Sequence, residues 1–118
     1  AVRRGLQIEG GPVLMIETAD CCGGGATGDS VHTLKALLTE APNHPAIIPV
    51  VDPEAARRAH TAGAGQAIRL LLGHRLDPKW GEPVSVDGIV SRLSDGAFTY
   101  HGGIWDGRSG CMGPTAVV

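Results

Sequence analysis

Five histidines, three cysteines and two aspartates around a glycine loop are the side chains of this 118-residue chain with chemistry to offer. The histidines are His32, His44, His60, His74 and His101. No two stand as His-x3-His with a Glu between them, so the helix-borne zinc pair of a metallopeptidase is not written here. His44 lies among prolines and His74 in a turn-rich stretch, and each of the five is read as a solvated surface histidine. Cys21 and Cys22 precede a predicted helix whose N-terminus would lower a thiol pKa, with His32 the nearest base. Without a base known to be in reach, they are read as small buried hydrophobes.

The densest signal is Asp20-Cys21-Cys22-Gly23-Gly24-Gly25-Ala26-Thr27-Gly28-Asp29-Ser30. Gly23-x4-Gly28-Asp29-Ser30 copies a phosphate loop except that Asp29 replaces the lysine, turning attraction into repulsion. Gly23-x-Gly25-x-x-Gly28 also fits a dinucleotide fingerprint, with Asp52 in the place of the ribose-binding acid. Glu17 to Cys22 separate that fingerprint from the apolar run before it, where a tight turn is required, and Asp52 has a simpler task as a helix cap before Pro53. An anion held by backbone N–H groups at the helix start is a further reading. Asp29 is expected to cap the helix. Asp20 could tie down loop N–H groups, or orient a ligand across an interface.

Such a loop needs elements to carry it. Pro12 to Ile16 and Ala46 to Val51 are short continuous apolar runs, the pattern of strands buried on both faces. Asp29-Ser30 followed by Val31, Leu34, Leu37 and Leu38 predicts a helix that Pro42 and Pro45 stop. Pro53 to Ala62 predicts a second helix with a small-residue face of Ala55, Ala56, Ala59 and Ala62. Ala67 to Leu72 reads as a strand; Val84, Val86 and Ile89 as another, with a bulge at Gly88. Ser94-Asp95-Gly96 reads as a hairpin turn into Phe98 and Tyr100, and Thr115 to Val118 as a last strand. The expected fold is α/β: a parallel β-α-β-α start joined to an antiparallel β portion in one mixed sheet, a single domain over 1–118. A chain of this length buries roughly two-thirds of its unfolded surface, enough for one core.

Composition limits the partners. Ten basic against twelve acidic residues, net −2 and a pI near 6.2 leave no basic stripe for nucleic acid. Four aromatics (Trp80, Phe98, Tyr100, Trp105) make no stacking platform. No apolar run approaches the roughly 20 residues of a membrane helix. Three cysteines, two of them adjacent, form no disulfide framework and fit a reducing, cytoplasmic compartment. The start at Ala1, without Met, reads as that of an excised piece.

The stretch Asp20 to Ser30, with the leucine-bearing helix after it, resembles the C-terminal region of the MlrC family, microcystin-degradation proteins and related metallopeptidases. Members carry Asp-Asn-Pro-Gly-Gly-Gly-x-x-Gly-Asp there; this chain has Cys21-Cys22 where Asn-Pro is usual. Asp52-Pro53-Glu54-Ala55, His60-x-x-Gly63-x-Gly65, Gly73 with Asp77-Pro78, Leu93-Ser94-Asp95-Gly96 with Phe98, and Gly113-Pro114-Thr115-Ala116-Val117 match in family order. The resemblance implies the C-terminal accessory domain of a zinc-dependent hydrolase, cut at both ends, whose metal ligands lie in an N-terminal catalytic region. No zinc ligand and no catalytic residue carries over to this chain. The positions that do are Asp20, Gly23, Gly24, Gly25, Gly28 and Asp29, as substrate- or interface-binding residues lining the cleft toward that N-terminal partner. An anion- or dinucleotide-binding module, a purely structural part and a homo-oligomer remain open alternatives.

Overall fold

In the computed structural model, described for residues 1–16 and 18–118, the leucine stripe after the glycine loop forms a helix, but it starts later than the capping signal predicts. Helix α2 spans His32–Glu40 behind a short α1 at Val2–Gly5. Its N-cap is Val31, which has no side-chain capping bond, so the Asp29-Ser30 cap does not form. It ends at Ala41, because the residue before a proline is driven out of the helical region. Helix α1 packs on α2, Val2 is buried, and Arg3 grips Glu40 through Nε and Nη2 at 2.6 and 2.7 Å.

These helices belong to the first of two compact units, Ala1–Asp52 with Leu72–Val84. The parallel start is not seen in it: Pro12 to Ile16 and Ala46 to Val51 have no regular secondary structure. Much of their apolar surface faces solvent, with Leu14 84%, Ile16 77% and Ile47 99% exposed, while Met15, Ile48 and Val50 are half-buried. A parallel strand pairs its backbone and buries both faces at once. Here the second run is tied by Val51 N–H donating to the Gly28 carbonyl at 2.8 Å.

The second unit joins Pro53–Leu71 and Ser85–Val118. Helix α3 is Pro53–Ala62, opened by the proline that suits a first helical position. Ala55 and Ala59 are buried, the small-residue face read from the sequence. The strands are β1 (Ala67–Leu72), β2 (Val84–Ile89), β3 (Arg92–Ser94), β4 (Ala97–Thr99), β5 (Ser109–Cys111) and β6 (Thr115–Val117). Helix α3 packs against β6. Among the described residues the strands pair two by two, β1 with β2, β3 with β6 and β4 with β5, rather than in one sheet. The ladders β3–β6 and β4–β5 are antiparallel, with Leu93 opposite Ala116 and Phe98 opposite Gly110. The chain is thus mixed α/β with antiparallel ladders.

Two local readings change. Ser94-Asp95-Gly96 does turn the chain, with Ser94 Oγ accepting from Gly96 N–H and Asp95 Oδ1 from Ala97 N–H. It leads from one ladder into another instead of closing a hairpin, since β3 and β4 have different partners. Strand β2 alternates inward and outward without interruption to Ile89, so Gly88 makes no bulge. A Cβ at Gly88 would lie 2.6 Å from a Val118 methyl, so a side chain there would require Val118 to shift.

Candidate functional site

The glycine loop contains a 3-10 turn at Cys22–Gly24, closed by Gly25 in the left-handed region at φ 89°. Gly23, Gly24 and Gly25 are exposed. So are Cys21 and Cys22, contrary to their reading as buried hydrophobes: glycine neighbours bring no side chains to cover them. Asp20 then folds the loop back on itself. Its Oδ1 accepts Gly28 N–H at 2.8 Å and its Oδ2 accepts Ser30 N–H at 2.7 Å. Gly28, at φ 72°, must be glycine, since a Cβ there would strike Cys22 Sγ and stand 2.9 Å from a Val51 methyl.

Asp29 does something other than capping. It is 2% exposed, and its carboxylate accepts from Thr27 Oγ1 at 2.6 Å, Leu76 N–H at 2.8 Å and Asp77 N–H at 3.2 Å. Burial pushes its pKa up. The bonds from Thr27, Leu76 and Asp77 and the nearby His74 outweigh that, and hold it below the usual aspartate value. The carboxylate therefore stays ionised at neutral pH and is no general acid.

The segment that supplies those amides is clasped from both sides. His74 N–H donates to the Asp29 carbonyl at 2.9 Å, and Val31 N–H points at His74 Nε2 at 3.4 Å. Gly73, at φ 79°, comes so near that a Cβ would be 2.6 Å from the Asp29 carbonyl and would strike Val31. Asp52 Oδ2 accepts Gly73 N–H at 3.1 Å and sits 3.5 Å from Arg75 Nε. His74, read as a surface histidine, is 3% exposed and is the functional-region residue that sequence reasoning missed. Its only written signal is the glycine before it; a turn-rich stretch does not announce a buried ring. His32, His44, His60 and His101 are exposed as expected. His32 Nε2 lies 3.0 Å from the Trp80 carbonyl.

The six positions from the loop thus divide. Asp20, Gly28 and Asp29 are knitted into a hydrogen-bonded clasp, while Gly23, Gly24 and Gly25 stay open. The amides of Gly28, Ser30 and Val31 are already taken by Asp20 and His74, which leaves an anion at the helix start without those donors. Asp52 is buried and engaged by Gly73 and Arg75, not presented to a ribose. Among the described residues, no group of three or more His, Cys, Asp or Glu is placed to hold a metal ion.

The fold is mixed α/β with antiparallel ladders, and comparison with known proteins supplies the family. Residues 15–118 match the family described as MlrC C-terminus. The chain belongs to that family. It is 31% identical over 84 residues to Microcystinase C from Sphingomonas sp., covering 71% of this chain and 17% of that protein. It is also similar to a crystal structure of a "putative metallopeptidase" from Mesorhizobium sp. BNC1, with a TM-score of 0.71 and 29% identity over 79% of this chain and 19% of that one. The chain therefore spans less than a fifth of the length of either relative.

Proposed function

We propose that this chain is the C-terminal accessory domain of a zinc-dependent hydrolase of the metallopeptidase class, its glycine loop lining the cleft toward an N-terminal catalytic part of the same protein. Family membership and the two named relatives support the class. The observation that carries the role is the contrast inside the loop. Its second half is fixed by Asp20, Asp29 and His74, while Gly23 to Gly25 stay exposed. Backbone that is held in place yet open is what a substrate-facing loop requires, because geometry must be set before binding. Ser30 Oγ, buried without a hydrogen-bond partner, adds a polar group with unused capacity in the same loop. The metal belongs to the part that this chain does not contain, and this domain contributes shape and backbone groups. Three free, exposed cysteines support a cytoplasmic setting, and no helix among the described residues is long and apolar enough to cross a membrane.

Gly24→Val in the full-length protein is the direct test. A Cβ at Gly24 meets nothing closer than Cys21 Cβ at 3.9 Å, so the fold tolerates it. Turnover should drop by about tenfold or more at unchanged melting temperature, the scale expected when a positioned group is displaced. Unchanged turnover ends the cleft-lining role. Zinc analysis separates the class from the role: the full-length protein should retain stoichiometric zinc after dialysis, and the 118-residue chain none.

A further inference from the structure

His74 is a buried titratable group whose protonation the proposed function leaves unused, although that role relies on its hold on the loop. Its backbone lies at φ 49°, and its ring is wedged so closely that a Cβ on Gly81 would be 2.8 Å from Cε1. On the other side is Val31, whose side chain is fully buried and whose N–H has His74 Nε2 as its acceptor. A ring nitrogen accepts only when it carries no proton, so this contact requires neutral His74 with its hydrogen on Nδ1. We propose that His74 is a proton-operated latch. Neutral, it ties the entry of α2 to the segment around residues 73–77. Protonated, it turns an N–H toward the Val31 N–H, loses that bond and loosens the glycine loop from the clasp.

The groups around the ring set the balance. From the glycine loop comes Asp29, whose carboxylate stays ionised. From the first turn of α2, the His32 ring stands 5.0 Å away. On the same segment, Arg75 and Asp77 flank the site, with Asp52 bound to Gly73 N–H and beside Arg75. Asp29 remains bonded to Leu76 and Asp77 in either state, so the latch releases the Val31 end first. This inference shares the His74 contact with the role proposed above, but its test reads only atoms of this chain, so its failure and the failure of that role are told apart.

Nuclear magnetic resonance on the nitrogen-labelled chain tests it. At neutral pH the ring nitrogen shifts of His74 should report the Nδ1–H tautomer. As the ring titrates, the hydrogen-exchange protection of Val31 N–H should fall about tenfold, the worth of one hydrogen bond. Val90 N–H, which donates to Gln66 in the second unit, should keep its protection and serves as the internal control. His32→Ala should leave the coupling in place. His74→Asn, tolerant of a positive φ but too short to reach Val31, should give low protection of Val31 that no longer depends on pH. An Nε2–H tautomer at neutral pH overturns the latch. So does a His74 that stays neutral until the chain unfolds, or Val31 protection that is flat through its titration. If His74→Asn does not fold, the wild-type titration decides alone.

Discussion

The two units hold their backbones by different means. In the second, antiparallel ladders do the work: β3 with β6, β4 with β5, and the small face of α3 set on β6. In the first there is little regular structure outside α2, and side chains take over the task of the ladder. Asp20 holds two amides 8 and 10 residues away; Asp29 and His74 reach 47, 48 and 43 residues along the chain. A buried N–H must find an acceptor, and where no neighbouring strand offers a carbonyl, a carboxylate or an imidazole does. Such a clasp fixes an irregular loop, but each bond rests on one replaceable side chain and on its charge state. A ladder spreads the same load over many groups that do not titrate.

That contrast can be broken most severely at Gly73. Gly73→Ala should cost on the order of 3 kcal/mol or more, combining a left-handed backbone with a clash against Val31 and the Asp29 carbonyl. Gly25→Ala, with a similar φ but nothing within 4 Å of its Cβ, should cost only about 1 kcal/mol. Urea unfolding of the two variants measures the difference; equal losses would mean that close approach at Gly73 adds nothing to the conformational strain.

Next comes the charge of the clasp. Asp29→Asn should destabilise the chain by about 1–2 kcal/mol, because a neutral amide oxygen accepts the Leu76 and Asp77 N–H bonds more weakly than a carboxylate, while the amide nitrogen can donate to Thr27 Oγ1. Asp29 is held below its usual value when folded, so its contribution is complete above the ordinary aspartate pKa and drains away as pH falls through the folded one. Denaturant midpoints followed downward from pH 5 should therefore fall more steeply for the wild type than for Asp29→Asn. Parallel slopes would remove Asp29 from the account of acid sensitivity.

The smallest effect belongs to the ladder side. Arg69 and Asp87 form a bidentate pair at 2.6 and 3.1 Å, with side chains 75% and 66% exposed. Each holds the other charged, lowering the Asp87 pKa and raising that of Arg69. Solvent and salt screen such a pair, so Asp87→Asn should leave the unfolding midpoint within scatter at physiological salt. A clear loss would show that the second unit, too, depends on individual charges.

Local patterns along the chain determine much of this protein. Alternation of Val84 and Val86 sets β2; Pro53 and the alanine spacing set α3; the leucine stripe sets α2. The motif from Asp20 to Asp29 pointed to the family, and Asp20 holds loop amides as its position suggested. These features depend on neighbours a few residues apart, which sequence records directly. What tertiary structure alone decided is where backbone groups far apart in the chain find partners. Pro12 to Ile16 and Ala46 to Val51 have the composition of strands but no ladder, since a strand is defined by its partner and not by its own residues. Asp29 has the look of a helix cap, yet the amides of Leu76 and Asp77 claim its carboxylate. His74 follows a glycine in a polar turn, and only the approach of Gly81, Val31 and Asp29 makes it a buried base. Spacing along a chain fixes local geometry; which distant donor meets which acceptor is fixed by packing, and the clasp around the glycine loop is made of such meetings.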